Sequence, residues 1–305
     1  MKNNRLREPV DISVIVPTYN DGRRLTKCVD ALRNQDFRGT YEIIIVDNGS
    51  LKDPPKVEAD RLVTLIHEST PGSYSARNTG ILASGGKLLA FTDSDCIPER
   101  SWLSSAFEAC TAREISLWAG RIDIFFKDPR RPTSSELYER YFSFRQKTNV
   151  AQGWAVTANL FVRRSVFEQI GLFDAGSYSG GDAEFTRRAV RSGHRLVYLD
   201  EGVVLHPARR ELRELRQMRR RHVGGFYRLS KAQPEYAKMF SVAGMLKDLA
   251  LPLKSAGELF RDLLRRRVLA VDALRILAVV VHVQFYRAAI KLLYKFRLRS
   301  SFERQ

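Results

Sequence analysis

Residues Lys87–Cys96 have the sequence KLLAFTDSDC, in which an apolar run ends in two aspartates separated by one small residue. The apolar run predicts a buried strand, and in an extended chain residues i and i+2 point the same way. Asp93 and Asp95 are therefore expected to face one site at the end of this strand. Paired carboxylates suit Mg²⁺ or Mn²⁺, which can bridge a diphosphate. Taken alone, however, Asp-Ser-Asp more often marks a solvated turn, because Asp and Ser bond their own backbone.

Two earlier strands of the same kind favour a site over a solvated turn at these aspartates. Ile12–Val16 and Tyr41–Val46 are nearly unbroken apolar runs, separated by a helical pattern over residues 22–34. Such strands joined by a helix predict a parallel βαβ unit, whose ligands bind beyond the carboxyl ends of the strands. Polar residues follow all three strands at that edge: Thr18, Tyr19, Asn20, Asp47, Asn48, Asp93 and Asp95. We therefore interpret the paired aspartates as part of a site.

The chain continues this alternation of strands and helices. Strands are predicted at 62–66, 115–126, 158–162, 196–199 and 203–205, and helices at 98–112, 134–146, 164–170 and 182–192. Arg77, in a loop over 71–80 that runs into a helix, fits either a phosphate contact or a surface arginine. Asp182 and Glu184 have a simple explanation in the first turn of a helix, where carboxylates are favoured. A lone histidine such as His206 is more often structural than a ligand or base.

Composition limits the class of protein. The 305 residues are 44% hydrophobic, enough for a sizeable core, and Lys and Arg exceed Asp and Glu by 51 − 34 = 17. This charge favours anionic partners, namely nucleic acid, acidic lipid or phosphorylated substrates. Three cysteines without a C-x-x-C pair exclude a disulfide framework and a zinc site, and indicate a reducing compartment. The charged N-terminus lacks the apolar region of a secretion signal.

The last third of the chain has a different character. A basic helix is predicted over Arg209–Arg221, and residues 263–293 are strongly apolar but interrupted by Asp272, Arg275, His282 and Arg287. The longest charge-free run is shorter than the ~20 residues needed to span a bilayer. An amphipathic helix that lies on a membrane, or packs on the catalytic domain or a partner, is therefore expected.

Five short motifs in one order resemble the family 2 inverting glycosyltransferases with a GT-A fold, over about residues 10–207. They are VIVPTYN at 14–20, VDNGS at 46–50, ARNTG at 76–80, TDSD at 92–95 and GDAEF at 181–185 followed by Arg188. The resemblance implies an α/β, Rossmann-like, mostly parallel sheet flanked by helices. The basic and apolar pattern after residue 208 adds the expectation of a C-terminal helical membrane-associating extension. We expect a flexible N-terminus at 1–10, a catalytic domain at 11–208 and a basic, amphipathic helical region at 209–305.

The resemblance also implies a donor site for a nucleotide-sugar. Pro17, Thr18 and Tyr19 would begin the nucleotide pocket. Asp47, with Asn48 beside it, would bind the base or ribose, most often of UDP in this family. Arg77 would contact the base or diphosphate. Asp93, Ser94 and Asp95 match the D-x-D motif that holds Mn²⁺ or Mg²⁺ on the diphosphate, and His206 would be a further metal or diphosphate contact.

The same resemblance assigns a general base. Asp182 matches the second residue of the acidic E-D motif, but Gly181 stands where that motif often has Glu, so Glu184 is kept as the alternative. A divalent cation and Arg77 would neutralise the departing nucleoside diphosphate, and the carboxylate would take the proton of the acceptor hydroxyl. A single displacement then inverts the anomeric centre.

The expected partners are the nucleotide-sugar, a glycan or lipid-linked saccharide acceptor, and an anionic membrane surface, with no nucleic acid. This indicates a cytoplasmic enzyme, peripheral on the inner face of the cytoplasmic membrane. The alternative is a basic nucleic-acid- or lipid-binding protein with a non-catalytic GT-A-like domain. A nucleotidyltransferase would instead need a Gly-rich, basic loop after the first strand, where this chain has Pro17-Thr18-Tyr19-Asn20.

Overall fold

The computed structural model describes residues 9–112 and 115–296, and these divide into two compact units. The sheet unit comprises the chain up to Asp123 together with Phe144–Gly176 and Gly181–His206. The helical unit comprises Ile124–Ser143, Ser177–Gly180 and the chain from Pro207 onward. Most of the predicted N-terminal segment 1–10, and residues 297–305 of the predicted C-terminal region, lie outside the described residues. The domain boundary after residue 208 stays a prediction.

The strands form one mixed sheet in the order β3-β2-β1-β4-β7-β6-β8-β5. Their bounds are β1 Ile12–Thr18, β2 Tyr41–Asp47, β3 Val63–His67, β4 Leu88–Phe91, β5 Ile97–Pro98, β6 Leu117–Phe125, β7 Leu160–Arg163 and β8 Leu196–Pro207. The first four strands of that order are parallel, whereas β4–β7, β7–β6 and β8–β5 pair antiparallel. The predicted α/β class is confirmed, and the structure adds an antiparallel half to the sheet.

Eleven α-helices accompany the sheet in the described part of the chain. They are α1 Gly22–Arg33, α2 Ser73–Ala83, α3 Trp102–Ala112, α4 Ser134–Phe142, α5 Gln146–Ala151, α6 Arg164–Ile170, α7 Gly181–Arg191, α8 Leu212–Ala232, α9 Pro234–Ala237, α10 Val242–Leu264 and α11 Ala270–Lys295. Alternate residues of β1 pack into separate clusters, with Val14 and Val16 on one face and Ile15 on the other. The sheet is therefore covered on both faces, which explains the unbroken apolar runs of its strands.

Register brings the polar strand ends to one edge. Thr18 pairs with Asp47 between β1 and β2, and Ile15 pairs with Phe91 between β1 and β4. The residues that follow β4, beginning with Thr92, therefore lie at the same edge as the ends of β1 and β2. This is the predicted position of a ligand site in a parallel sheet.

Several predicted elements are wrong in detail, among them the basic helix expected over Arg209–Arg221, which is α8 at Leu212–Ala232. The helix expected from Pro98 begins at Trp102, because Ile97 and Pro98 pair with β8 instead. The helix expected over 134–146 is broken after Phe142, because Phe144 has a φ of +51°. The two short strands expected at 196–199 and 203–205 are one strand, which passes through Gly202 at a φ of +70°.

The helical unit has its own core. Its central cluster joins α4, α8, α10 and α11 through Tyr138, Leu215, Leu259, Ile276 and Val280. Leu137, Tyr141 and Phe142 of α4 are partly buried against this cluster. By length and composition α11 is long and apolar enough to cross a membrane, and 44% of its most apolar window is buried within the protein.

Candidate active site

A cluster of metal-ligating side chains follows β4. One ligand atom from each of Asp93, Asp95, Cys96 and His206 lies within 4.8 Å of the others. His206 reaches the cluster from β8, and its Nε2 is 3.8 Å from Asp95 Oδ1. Its buried imidazole packs on the ring of Phe144, with the ring centroids 4.2 Å apart. The structure thus brings together the three residues that the sequence predicted as metal ligands.

Two arginines neutralise the carboxylates of this cluster. The buried Arg77 donates from Nη2 to Asp93 Oδ1, and its guanidinium lies 5.5 Å from the centroid of the Tyr74 ring. Arg24 Nη1 is 3.3 Å from Asp95 Oδ2, and the Arg24 Nε also pairs with Asp21. Arg77 was predicted from its motif, whereas Arg24 carries no sequence signal beyond its place three residues after Asp21.

Asp21 and Ser94 connect the first loop to the paired aspartates. Asp21 occupies the N-cap position of α1, but its side chain makes no capping bond. It accepts instead from the Ser94 hydroxyl at 2.8 Å and from Arg24. Burial raises the pKa of the Asp21 carboxyl, while its bonds with Arg24 and Ser94 oppose that rise. Ser94 therefore positions the turn rather than pointing to solvent.

The donor atoms of the cluster fit a divalent cation. Asp93 and Asp95 offer carboxylate oxygens, and His206 offers an imidazole nitrogen. Burial, followed by the charges of Asp95 and Asp93, raises the pKa of the Cys96 thiol well above its usual range. Because Mg²⁺ and Mn²⁺ prefer oxygen ligands to sulfur, Cys96 is the least suited of the four donors to either ion. Carboxylates suit Mg²⁺ and Mn²⁺, and Mg²⁺ is the more demanding of oxygen ligands.

Asp182 lies in the first turn of α7, within electrostatic range of the cluster. Burial raises the pKa of its carboxyl. Hydrogen bonds from the Ala183 amide at 2.8 Å and from the Tyr74 hydroxyl, with the charge of Arg77, lower the same pKa, and Asp93 raises it. A partly desolvated carboxylate held by two donors is the chemistry expected of a general base. The sequence analysis did not predict the hydrogen bond between the Tyr74 hydroxyl and Asp182.

Gly181, the departure from the family motif, has a structural explanation. A Cβ at residue 181 would lie 2.8 Å from Cε2 and 2.9 Å from Cδ2 of Tyr74. The Tyr74 ring therefore occupies the space that a side chain at 181 would need. The position of Tyr74 beside Asp182 therefore depends on the absence of a side chain at residue 181.

Glu184 occupies a different environment, one turn further along α7. Its two oxygens accept from Arg188 Nε at 2.9 Å and Nη2 at 3.1 Å. Arg188 also donates to the carbonyl oxygens of Ile170 and Leu172. This pair therefore joins α7 to the end of α6, which gives Glu184 a structural task.

The predicted nucleotide-pocket residues lie at the ends of β1 and β2, with Pro17 in β1 and Tyr19 directly after it. Thr18 is buried, and its hydroxyl has no hydrogen-bond partner within the described residues. Asp47 accepts from the Ser50 amide at 3.1 Å and lies 3.7 Å from His67 Nδ1. A backbone hydrogen bond links the ends of β1 and β2, in which the Asn48 amide donates to the Thr18 carbonyl at 2.9 Å.

The Asn48 side chain organises the adjacent loop. Its Nδ2 donates to the carbonyl oxygens of Glu68 and Thr70, and its Oδ1 accepts from the Gly72 amide at 2.8 Å. These bonds hold the segment that leads into α2, the helix that carries Arg77. Asn48 therefore fixes this loop through contacts with its backbone, a part that sequence spacing does not reveal.

Comparisons with known proteins identify the family of this chain. Residues 13–171, about half of the chain, match glycosyl transferase family 2. The chain is 35% identical over 206 residues to glycosyltransferase AglE of Haloferax volcanii, covering 65% of this chain and 67% of AglE. It is 28% identical over 222 residues to the pre-mycofactocin glycosyltransferase of Mycobacterium tuberculosis, covering 67% of this chain but only 44% of that protein.

A solved structure shows the same fold. The mannosyltransferase PcManGT from Pyrobaculum calidifontis, in complex with GDP-Man and Mn²⁺, superposes with a TM-score of 0.59 at 18% identity, covering 94% of this chain and 88% of that chain. The fold is thus the GT-A type of glycosyltransferases. The chain belongs to glycosyl transferase family 2 and is an enzyme of that class.

Proposed function

We propose that this enzyme transfers a sugar from a nucleotide-sugar to a hydroxyl of a glycan or lipid-linked saccharide, with metal dependence and inversion. The observation that carries this proposal is the cluster of Asp93, Asp95 and His206 at the carboxyl edge of the parallel strands. Arg77 contacts the cluster directly, and its charge and that of Asp93 both act on Asp182. The residues proposed to bind the metal and the diphosphate therefore lie close to the candidate base, Asp182.

Asp93, Asp95 and His206 would hold Mn²⁺ or Mg²⁺. When bound, such an ion supplies Lewis-acid stabilisation of the negative charge on the departing diphosphate. The presence of Mn²⁺ in the structural neighbour supports this assignment. The buried Arg77 guanidinium supplies a fixed positive charge at the same place, and its Nε has no hydrogen-bond partner within the described residues.

The ends of β1 and β2 would hold the nucleotide. The Thr18 hydroxyl, which has no partner in the described part of the chain, supplies a donor at that position, and the Asp47 carboxylate supplies acceptors. The resemblance favours a UDP-sugar, whereas the neighbour binds GDP-Man, so GDP-sugars are the second donor class. Burying a hydroxyl without a partner costs free energy, and a bound nucleotide would remove that cost.

Asp182 would be the general base. The carboxylate is fixed by Tyr74 and the Ala183 amide, and burial favours its proton-bound form. It would take the proton of the acceptor hydroxyl as the bond to the anomeric carbon forms on the face opposite the leaving diphosphate. Glu184 is less suited to this role, because Arg188 already occupies both of its oxygens.

Donor and metal binding are tested together by calorimetry. We expect UDP or GDP to bind in Mn²⁺ and to lose most of its affinity in chelator. Asp95→Asn should abolish the metal-dependent part of the nucleotide affinity. Asp30→Asn, which removes an exposed carboxylate of α1, should leave that affinity unchanged. Nucleotide binding that is equally strong in chelator, or unchanged in Asp95→Asn, would contradict the metal site.

The base is tested by single-turnover transfer. Asp182→Asn should bind nucleotide normally and lose transfer, while Glu184→Gln should keep transfer in the protein that remains folded. A dead Glu184→Gln together with an active Asp182→Asn would move the base to residue 184.

The helical unit supports a membrane location. Exposed apolar side chains repeat along one face of α10: Val242, Leu246, Leu249, Leu253, Phe260 and Leu264. Exposed basic residues follow three of them directly, at Lys247, Lys254 and Arg261. An apolar face bordered by cations is typical of helices that lie on anionic membranes. We propose that this face attaches the enzyme to the inner surface of the cytoplasmic membrane, near a lipid-linked acceptor.

Flotation with vesicles tests the membrane surface. The double variant Leu246→Ser, Leu253→Ser should lose binding to vesicles that contain phosphatidylglycerol. Leu82→Ser, which alters a side chain 75% exposed on the sheet unit, should float normally. Equal flotation of all three proteins, or preferential co-sedimentation of the wild type with nucleic acid at moderate salt, would contradict this part of the proposal.

A further inference from the structure

A cleft lies in the sheet unit, apart from the residues assigned to the donor. It has a volume of about 300 Å³ and is formed by β6, β8, the two residues before α5 and the first turn of α5. Eight described residues line it, and they include three cations but no carboxylate. The cations are Arg121, Arg145 and Lys147. The lining also includes two aromatic side chains, those of Phe144 and Tyr198.

Arg121 and Lys147 are the two cations of this lining that could donate to a ligand. Arg121 Nε is buried and makes no hydrogen bond within the described residues, although Asp123 Oδ2 lies 3.3 Å away. Its Nη1 lies 3.9 Å from the exposed Asp200 carboxylate. The Lys147 ammonium is 5.7 Å from the centroid of the Tyr198 ring, and the Tyr198 hydroxyl donates to Asp200 at 2.8 Å. A planar guanidinium beside a mobile ammonium suits a phosphate group, which accepts several charge-assisted hydrogen bonds.

Phe144 places this cleft next to the metal-ligating cluster. It lines the cleft, and its ring packs on the imidazole of His206 at 4.2 Å between centroids. Its φ of +51° is unusual for an aromatic residue, and such a conformation persists only where surrounding contacts enforce it. The strained residue thus forms a wall shared by the cleft and the cluster, so a molecule held in the cleft borders the proposed reaction centre.

We propose that this cleft binds a phosphate group carried by the acceptor, so that the acceptor is a phosphorylated compound rather than a neutral glycan. This inference rests on the proposed function, because it takes the Asp93–Asp95 cluster as the donor site. The phosphate could belong to a lipid-linked saccharide or to a soluble sugar phosphate, and in both cases a sugar hydroxyl remains to accept the transferred sugar. Arg121 and Lys147 would bind the phosphate, and Phe144 would separate it from the donor diphosphate.

Calorimetry with geranyl phosphate, in chelator and without nucleotide, tests the cleft independently of transfer. We expect the wild type to bind it, and Arg121→Gln and Lys147→Gln each to bind about tenfold more weakly, since each removes a charged hydrogen-bond donor. The matched control Arg61→Gln alters an exposed arginine beside β3, at the opposite edge of the sheet, and should bind normally. Geraniol, which lacks the phosphate, measures any binding to the apolar face of α10.

The outcomes separate this inference from the proposed function. Binding of geranyl phosphate that equals that of geraniol, or that is unchanged in both cleft variants, would overturn the phosphate cleft. Glucose 1-phosphate that competes fully would support the cleft and show that binding needs no lipid chain, as a soluble sugar phosphate requires. If it does not displace geranyl phosphate, the lipid chain is also needed, which favours a lipid-linked acceptor. UDP and GDP binding in Mn²⁺ is measured on the same proteins. If neither nucleotide binds the wild type, the donor site fails even where the cleft still binds its phosphate.

Discussion

Gly181→Ala tests the arrangement that holds the candidate base. The added Cβ would lie 2.8, 2.9 and 3.1 Å from Cε2, Cδ2 and Cγ of Tyr74. Carbon atoms in contact normally stay about 3.5–4.0 Å apart, so the ring must withdraw by roughly 0.7 Å. Tyr74 is 5% exposed, and its ring packs against Phe173 with the centroids 5.7 Å apart. Because the ring has little free space, we expect a loss of about 1–3 kcal/mol in the free energy of unfolding.

The same displacement should reduce catalysis. The Tyr74 hydroxyl is hydrogen-bonded to Asp182, so a shift of the ring moves or releases that carboxylate. Misplacement of a catalytic group by about 1 Å can cost on the order of 10²-fold in rate, so we expect a loss of about 10- to 100-fold in kcat. Nucleotide binding in Mn²⁺ should change little, because the variant leaves Asp93 and Asp95 in place.

The control is Gly257→Ala, in the middle of α10. A Cβ there would meet nothing within 4 Å, and a helical alanine should stabilise the protein by about 0.5–1 kcal/mol. The assays are thermal or denaturant unfolding and the initial rate of sugar transfer. If Gly181→Ala unfolds and turns over like the wild type, the reasoning is refuted. In a Tyr74→Ser background the same Gly181→Ala change should cost little more, since the clash has been removed.

Other predictions concern the pH profile, an ion pair and a buried hydroxyl. Because burial raises the pKa of Asp182, transfer should fall on acidification at a higher pH than an ordinary aspartate would allow. Tyr74→Phe removes a bond that favours the charged form, so the acid limb of kcat against pH should move upward, whereas the remote Tyr41→Phe should leave it unchanged. Glu184→Gln should lower the free energy of unfolding in urea by about 2 kcal/mol, since it breaks a largely buried ion pair. Thr18→Val should leave thermal stability equal or higher and weaken nucleotide binding in calorimetry, because the native hydroxyl is buried without a described partner.

The stability linkage of Asp182 has the opposite sign to that of an ordinary ion-paired aspartate. Its folded pKa lies above the unfolded value, so the native state binds more protons between the two. The free energy of unfolding contributed by this group therefore falls as the pH rises through that window. Asp182→Asn should remove this fall, which unfolding measurements across acidic pH would detect.

The parallel half of the sheet was predictable because its strands are buried on both faces. That burial produces continuous apolar runs, and the chain order of β1, β2 and β4 then places their polar ends at one edge. The paired aspartates and Arg77 follow from this reasoning together with the family motifs. Each of these features depends on residues that are close in sequence.

The features that escaped prediction depend on contacts between distant residues. Phe144 lies in an aromatic pattern that continues a helix, yet it leaves the helix to pack on His206. Tyr74 gives no sign in the sequence that its hydroxyl meets Asp182. Local periodicity records neither contact, because each joins residues more than 60 positions apart.

The two acidic residues of α7 show why the motif alone leaves the base open. Asp182 and Glu184 are two positions apart, and both fit the first turn of a helix electrostatically. Their surroundings differ. The Asp182 carboxylate accepts from two neutral donors and interacts with the charges of Arg77 and Asp93. The Glu184 carboxylate forms an ion pair with Arg188. A general base needs oxygens that can accept a proton from the acceptor, and both oxygens of Glu184 already accept hydrogen bonds from Arg188. The environment of each carboxylate, rather than its place in the motif, therefore favours Asp182.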